Sequence, residues 1–318
     1  ARMIAKNKSL AKPIKWFSIA QCFRYEREQL GRSRSFYQLN LDILGTDSML
    51  ADAELIATAV RIMQSFKLAK KDFFIRISNR KLINSLLKEI GINNVKEIYK
   101  IIDKKSRITE EDFIKLLKDL KLNDKKIKEL IKLLKINKIK DLEKYNIDLT
   151  EIKELFDYLK FYNVLDYCKL DLSIVRGLDY YTSTVFEVFD KSMKFRAIAG
   201  GGRYDNLVDI FGGEKCPGVG FGMGDVVLKL FLEEKNKLPK ISKAIDYFVA
   251  VVDKSLLKDA IKIAERLRNK CSVEIDLIGK NLSKQLDYAN KINAKNVVIV
   301  GKKELAKKKV KIKDMKTG

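Results

Sequence analysis

The spacing of apolar positions changes several times along the chain, and each change predicts an element. Ile14, Trp16, Phe17 and Ile19 lead into Cys22-Phe23-Arg24-Tyr25 as a strand, and a polar, basic loop follows over residues 28–35. Alternation resumes over residues 36–44 as a second strand. Gly45 and a cap at Thr46 or Asp47 then open a helix whose Met49, Ala53, Ile56, Val60 and Met63 recur at steps of four and three, one helical face. A short strand over residues 73–77 precedes Leu82, Leu86 and Ile90, a helical stack stopped by Gly91. Residues 92–165, rich in Lys, Ile and Leu and poor in turn formers, read as several short helices inserted into the fold.

Strand signals return over 171–200, where 184–189, a turn at 190–192 and a return strand at 194–199 predict a hairpin. Residues 207–211 and 217–234 continue with a strand and then an apolar helix, and Pro239 lies in a polar linker. Beyond it, strand 245–252, helix 255–269, strand 272–277, helix 282–293 and strand 296–300 alternate as a small βαβαβ domain. The boundaries expected are therefore 1–238, with a helical insertion at about 80–165, and 239–318.

Composition narrows the chemistry. With 65 Lys+Arg against 42 Asp+Glu, the net charge of +23 favours a polyanionic partner, because phosphates reward a cationic surface by counterion release. Much of that charge, between residues 80 and 160, interleaves with Leu and Ile and also reads as solvated helix faces. There is no histidine. Ser-His-Asp triads, Cys-His pairs and His-ligated metals are excluded, which leaves Arg, Lys, carboxylates, Tyr or bound ions and points to electrostatic catalysis such as nucleotidyl transfer. Cys22, Cys168, Cys216 and Cys271 are scattered, without a C-x-x-C pair, and read as reduced cytoplasmic thiols. No apolar run is long enough to span a membrane.

Three constellations carry candidate chemistry. In the first, strand alternation puts Arg24 and Glu26 on one face, and Gln38, Asn40 and Asp42 together on the returning strand. Arg32 and Arg34 stand in the loop between. An arginine on a sheet face needs a compensating ligand or partner, and the plain alternative is an exposed polar face. The second is Val175-Arg176-Gly177-Leu178-Asp179-Tyr180-Tyr181-Thr182, where Gly177 permits a bend after an arginine, or simply a surface turn. The third is Gly200-Gly201-Gly202-Arg203-Tyr204-Asp205 followed by Gly218, Gly220, Gly222 and Gly224 at steps of two. On a strand those four share a face of bare backbone, open to a flat ring, another chain or a tightly packed helix. No Gly-Lys-Ser/Thr follows, so this is not a phosphate loop.

Together these stretches resemble the histidyl-tRNA synthetases of the class II group. Residues 23–27, their loop and strand 36–42 look like the second class II motif, residues 175–182 and 199–205 like the two histidine-specific signatures, and residues 218–228 like the third motif. The Tyr37-Gln38 and Asp42 variant is more similar to archaeal and eukaryotic members. The resemblance implies an α+β fold, a class II antiparallel sheet with helices and a helical insertion, followed by a small α/β anticodon-binding domain at 244–301 that is incomplete at its C-terminus. It implies ATP as substrate with Mg²⁺, histidine and tRNA(His) as partners, and no protein-bound metal site.

By the same resemblance, Arg24 and Arg176 are catalytic and hold the α-phosphate. Glu26, Arg32, Arg34, Gly222 and Gly224 serve ATP, while Gln38, Asp42, Arg176, Tyr180, Tyr181 and Tyr204 bind histidine. Two departures stand out. Val227 falls where the third motif usually carries an arginine stacked on adenine, and the dimer-forming first motif is expected upstream of Ala1. Those missing segments are expected to make the homodimer. The competing expectations are a catalytically silent paralogue regulating histidine biosynthesis and a tRNA-sensing module.

Overall fold

The computed structural model describes the chain apart from Lys8, Glu26, Leu30, Ser106, Arg107, residues 176–179 and 240–243, Lys308 and Gly318. It divides into two compact units, Ala1–Leu238 and Pro239–Gly318.

The first unit is built on a seven-stranded sheet in the order β1-β2-β7-β6-β5-β3-β4. Its strands are β1 (Ile14–Phe23), β2 (Ser35–Leu44), β3 (Phe73–Asn79), β4 (Cys168–Leu170), β5 (Thr184–Asp190), β6 (Ala199–Arg203) and β7 (Gly218–Gly224). Every neighbouring pair is antiparallel except β3 with β4. Helix α1 is the short Arg2–Lys6. Helix α2 (Met49–Ser65) starts where the Ser48 side chain accepts from the Leu50 N–H, one of the donors a helix start leaves unpaired. Its buried Ala51, Ala53, Ala57 and Ala59 are small enough to let the helix lie close to the sheet, and Ile56, Val60 and Met63 fill the space between.

The insertion is a run of helices, α3 (Arg80–Glu89), α4 (Val95–Lys104), α5 (Glu110–Asp119), α6 (Asp124–Leu134) and α7 (Thr150–Phe161). Asn79, Thr109 and Asn123 cap three of them with side-chain oxygens. Their apolar faces join the same core cluster as α2 and the sheet, so the insertion is packed onto the first unit's core and not merely tethered to it.

Two sequence expectations are corrected here. The return strand of the hairpin begins at Ala199, not Lys194, because the Asp190 carboxylate collects donors from the loop instead: Ser192 Oγ at 2.5 Å, Lys194 N at 3.1 Å and Phe195 N at 3.0 Å. Leu207–Ile210 is a short helix, α8, while the strand is β7 and the apolar helix following it is α9 (Asp225–Glu234).

The second unit has the sheet order β11-β10-β8-β9, with β8 (Tyr247–Val251), β9 (Val273–Ile275) and β10 (Asn296–Val300) parallel. Helices α10 (Leu257–Arg268) and α11 (Leu282–Lys291) make the crossovers. Buried Gln285 answers the Val251 N–H and C=O at 2.9 and 3.0 Å and the Lys280 C=O at 2.7 Å, which ties α11 to β8. Helix α12 (Lys302–Ala306) and the antiparallel edge strand β11 (Lys311–Asp314) extend the expected βαβαβ pattern. Lysine-rich β11 has no apolar run to announce it and suits an exposed edge.

Candidate functional site

The sheet of the first unit has two faces with different jobs. Leu39, Leu41, Ile43, Val219, Phe221 and Met223 belong to the hydrophobic core. Register places Gln38, Asn40 and Asp42 opposite Gly224, Gly222 and Gly220, on the other face. That corrects the expectation of bare glycine backbone. A Cβ on Gly220 would lie 2.1 Å from Asp42 Oδ1, one on Gly222 2.8 Å from Gln38 Nε2, and one on Gly218 2.7 Å from the Tyr204 ring. These three glycines make room for site side chains, while the fourth, Gly224, stays open, with only Phe36 at 4.0 Å.

On this face lies a cavity of about 890 Å³. Arg24, Arg32, Gln38, Gly222 and Gly224 line it as the sequence grouped them, together with Phe36 and Val227. The Arg24 guanidinium stacks 3.7 Å from the Phe36 ring centre, and its buried Nε has no hydrogen-bond partner among the described residues. A buried cationic donor left unpaired is costly and is matched by an incoming anion. The Gln38 amide donates to Asn40 Oδ1 at 2.6 Å, which orients it. Arg34 does not line the cavity, although its carbonyl accepts the Arg24 N–H at 2.9 Å and so shapes the loop. Glu26 and Arg176 lie outside the described residues.

Next to the cavity on the same face, Asp42 gathers the aromatic candidates. The Tyr204 hydroxyl donates to Asp42 Oδ1 in a short hydrogen bond, and Oδ2 has no partner among the described residues. Burial raises the Asp42 pKa, with the Tyr204 bond pulling it back, and burial plus the facing carboxylate raises the Tyr204 phenol. Tyr180 stands edge-on to Tyr204, centroids 6.2 Å apart, and leans on Tyr181 at 4.8 Å. Thus Asp42, Tyr180, Tyr181 and Tyr204 form one cluster, while Gln38 belongs to the cavity wall.

One residue escaped the sequence reading. Arg203 points to the opposite face from Tyr204, 1% exposed, and pairs with fully buried Asp52 of α2. Its NH1 donates to Thr46 O at 3.0 Å and Asp205 Oδ1 at 3.1 Å, and its NH2 to Ser48 O at 3.1 Å. Burial pulls its pKa down, but the two aspartates more than offset that and hold it above the usual arginine value. The signal was strand parity, since 203 and 204 must face opposite ways.

The family model described as histidyl-tRNA synthetase matches residues 1–225, which carry every residue named in this site except Val227, and an anticodon binding domain model matches residues 246–318. The chain belongs to the histidyl-tRNA synthetase family. Among its relatives is the histidine–tRNA ligase of Pyrococcus horikoshii, 39% identical over all of this chain and 76% of that protein. The crystal structure of histidyl-tRNA synthetase from Nostoc sp. PCC 7120 superposes with a TM-score of 0.83 at 28% identity, covering 99% of this chain and 77% of that one. A Bacillus halodurans C structure described as an ATP phosphoribosyltransferase regulatory subunit/histidyl-tRNA synthetase has a TM-score of 0.74 at 23% identity, covers 94% of this chain and 76% of that one, and shares the fold. The class II fold and the anticodon-binding α/β domain expected of a histidyl-tRNA synthetase are both present. No helix among the described residues is long and apolar enough to cross a membrane.

Proposed function

We propose that this chain activates histidine with ATP and transfers it to tRNA(His). The observation that carries the reading is the joint placement, on one sheet face, of a cationic nucleotide-sized cavity and an acid–phenol cluster that can pair both sides of an imidazole. In the activation step a histidine carboxylate oxygen attacks the α-phosphorus of ATP, the new O–P bond forms, and pyrophosphate departs. The carboxylate is already ionised, so a chain without histidine lacks nothing for this chemistry. Cations around the phosphorus do the work, as preorganised charge is worth most where charge builds up.

Arg24, with its unpaired Nε, takes one side of the α-phosphate, and Arg176 is assigned the other on the strength of its sequence signature. Glu26, Arg32 and Arg34 serve the nucleotide, and Phe36, Val227 and Gly224 offer the adenine a largely apolar slot. Neutral imidazole has one donor and one acceptor. Asp42 Oδ2 accepts its N–H, a tyrosine hydroxyl of the Tyr180–Tyr181–Tyr204 group serves its acceptor, and Gln38 reaches the amino-acid backbone.

Among the described residues no three His, Cys, Asp or Glu side chains converge into a cation cage. Mg²⁺ would come with ATP and neutralise charge on its outer phosphates, and no step is assigned to it. The four cysteines are free thiols and burial pushes Cys168 up to about 12, far from a nucleophile's range, which suits a cytoplasmic protein. Phe17, Ile19 and Phe23 on edge strand β1 are 66–74% exposed, an apolar stripe that supports homodimer formation.

Histidine-dependent exchange of pyrophosphate into ATP tests the reading, with Arg176→Ala expected to lower it by orders of magnitude while histidine binding changes little. A protein that folds and binds histidine but shows no exchange would favour the regulatory alternative.

A further inference from the structure

Position 227, on the wall of the cavity, is an apolar valine, and the cations around it are engaged in different ways. Arg76 is ion-paired with Asp171 at 2.8 Å and donates to Ser173. Lys194 pairs with Glu234 at the end of α9. Arg196 differs. Among the described residues its partner is a neutral amide, Gln29 Oε1 at 2.5 Å, so its charge is uncompensated there.

The backbone around Arg196 is fixed. The Asp190 carboxylate holds the preceding loop by its bonds to Ser192, Lys194 N and Phe195 N. Phe195 packs edge-on against Phe231 of α9, centroids 6.2 Å apart, and Phe231 lies one helical turn beyond Val227. From the other side, a Cβ on Gly31 would come within 3.3 Å of Val227 Cγ2. The β1–β2 loop therefore touches the 195–227 region at two points, Gln29 on Arg196 and Gly31 on Val227.

We propose that Arg196, from the β5–β6 loop, binds the outer phosphates of ATP, and that Gln29 is a partner it exchanges for them. This rests on reading the cavity as the ATP site. A planar guanidinium with a neutral partner surrenders it readily to a phosphate, because charge-assisted, bidentate bonds are about twice as strong as neutral ones. Adenine is assigned to the stretch of wall with Phe36, Val227 and Gly224, where position 227 carries no cation. The added charge belongs at the triphosphate.

Calorimetric titration of the intact protein with a non-hydrolysable ATP analogue and with AMP is the test. Arg196→Ala should weaken analogue binding about tenfold to a hundredfold, leave AMP binding within about twofold, and flatten the salt dependence. Arg196→Lys should recover part of the loss. Gln29→Ala should bind the analogue as the parent does. Parent-like analogue binding by Arg196→Ala would overturn the assignment, and so would an equal loss of AMP affinity. Gln29→Ala reproducing the loss would make the arginine a loop brace instead. If the parent protein bound no nucleotide at all, the cavity reading would fail and this proposal with it.

Discussion

Arg203→Ala should be among the most damaging single changes in this protein, although the Arg203 side chain lies on the opposite sheet face from the candidate site. Its guanidinium is 1% exposed and Asp52 is completely buried, with Nε 3.1 Å from Asp52 Oδ2. Truncation leaves that carboxylate in the core without a cation, takes the arginine donor from the Thr46 carbonyl, and leaves the Ser48 carbonyl with the Ala51 N–H alone. Breaking a buried pair by removing one partner costs about 3–5 kcal/mol. For a unit of this size each kcal/mol moves the midpoint by about 2–4 °C, so melting should fall by roughly 6–20 °C. The only tryptophan, Trp16, lies in the first unit and reports its urea unfolding separately from the second. Asp52→Asn combined with Arg203→Met removes both charges together and should recover a good part of the loss. A single variant losing less than about 1 kcal/mol, or a double variant no more stable than the single, would refute the claim that this pair is a coupled, desolvated brace.

Other consequences can be checked in parallel. Because burial raises the Asp42 pKa, the folded state holds that proton more tightly than the unfolded chain, and stability is lost as pH rises from the ordinary value of 3.8 through the folded one. Asp42→Asn should therefore be at least as stable as the parent at pH 7 in thermal melts. The same variant should bind histidine about five- to a hundredfold more weakly by calorimetry, since the imidazole N–H loses an ionised acceptor. Deleting residues 239–318 should spare histidine-dependent pyrophosphate exchange, reduce transfer to tRNA and flatten the salt dependence of tRNA binding in filter assays. In that domain exposed Lys284, Lys302 and Lys303 are the better phosphate candidates, because Lys295 is already paired with Asp246 at 2.7 Å.

The large elements were legible because each had a period. The four-and-three spacing of α2 survived intact, with Ala53, Ile56, Val60 and Met63 all turned to the core. Alternation in β2 correctly put Gln38, Asn40 and Asp42 on one face. What failed had no period to read. The loop ahead of β6 contains Phe195 and Ile198, which imitate a strand, and only the side-chain bonding of Asp190 explains why pairing starts later. Strand β6 itself is mostly glycine, and it is a strand because β5 and β7 pair with it on both edges, a tertiary fact.

The glycines of β7 show why a motif can be placed correctly and still be misread. Steps of two put Gly218, Gly220, Gly222 and Gly224 on one face, and that much follows from strand geometry. Whether the face stays bare depends on what the neighbouring strands carry, and here they carry Gln38, Asp42 and Tyr204, which fill three of the four places. Glycine at 220 and 222 therefore leaves room for Asp42 and Gln38 to lie against the strand, while 224 keeps the open place beside Phe36. The same parity explains Arg203 and Tyr204. They are neighbours in sequence, yet one braces α2 from beneath the sheet and the other orients the acid above it. A change at either position should thus be read by two assays, since a lost brace lowers unfolding free energy and a lost phenol lowers histidine affinity.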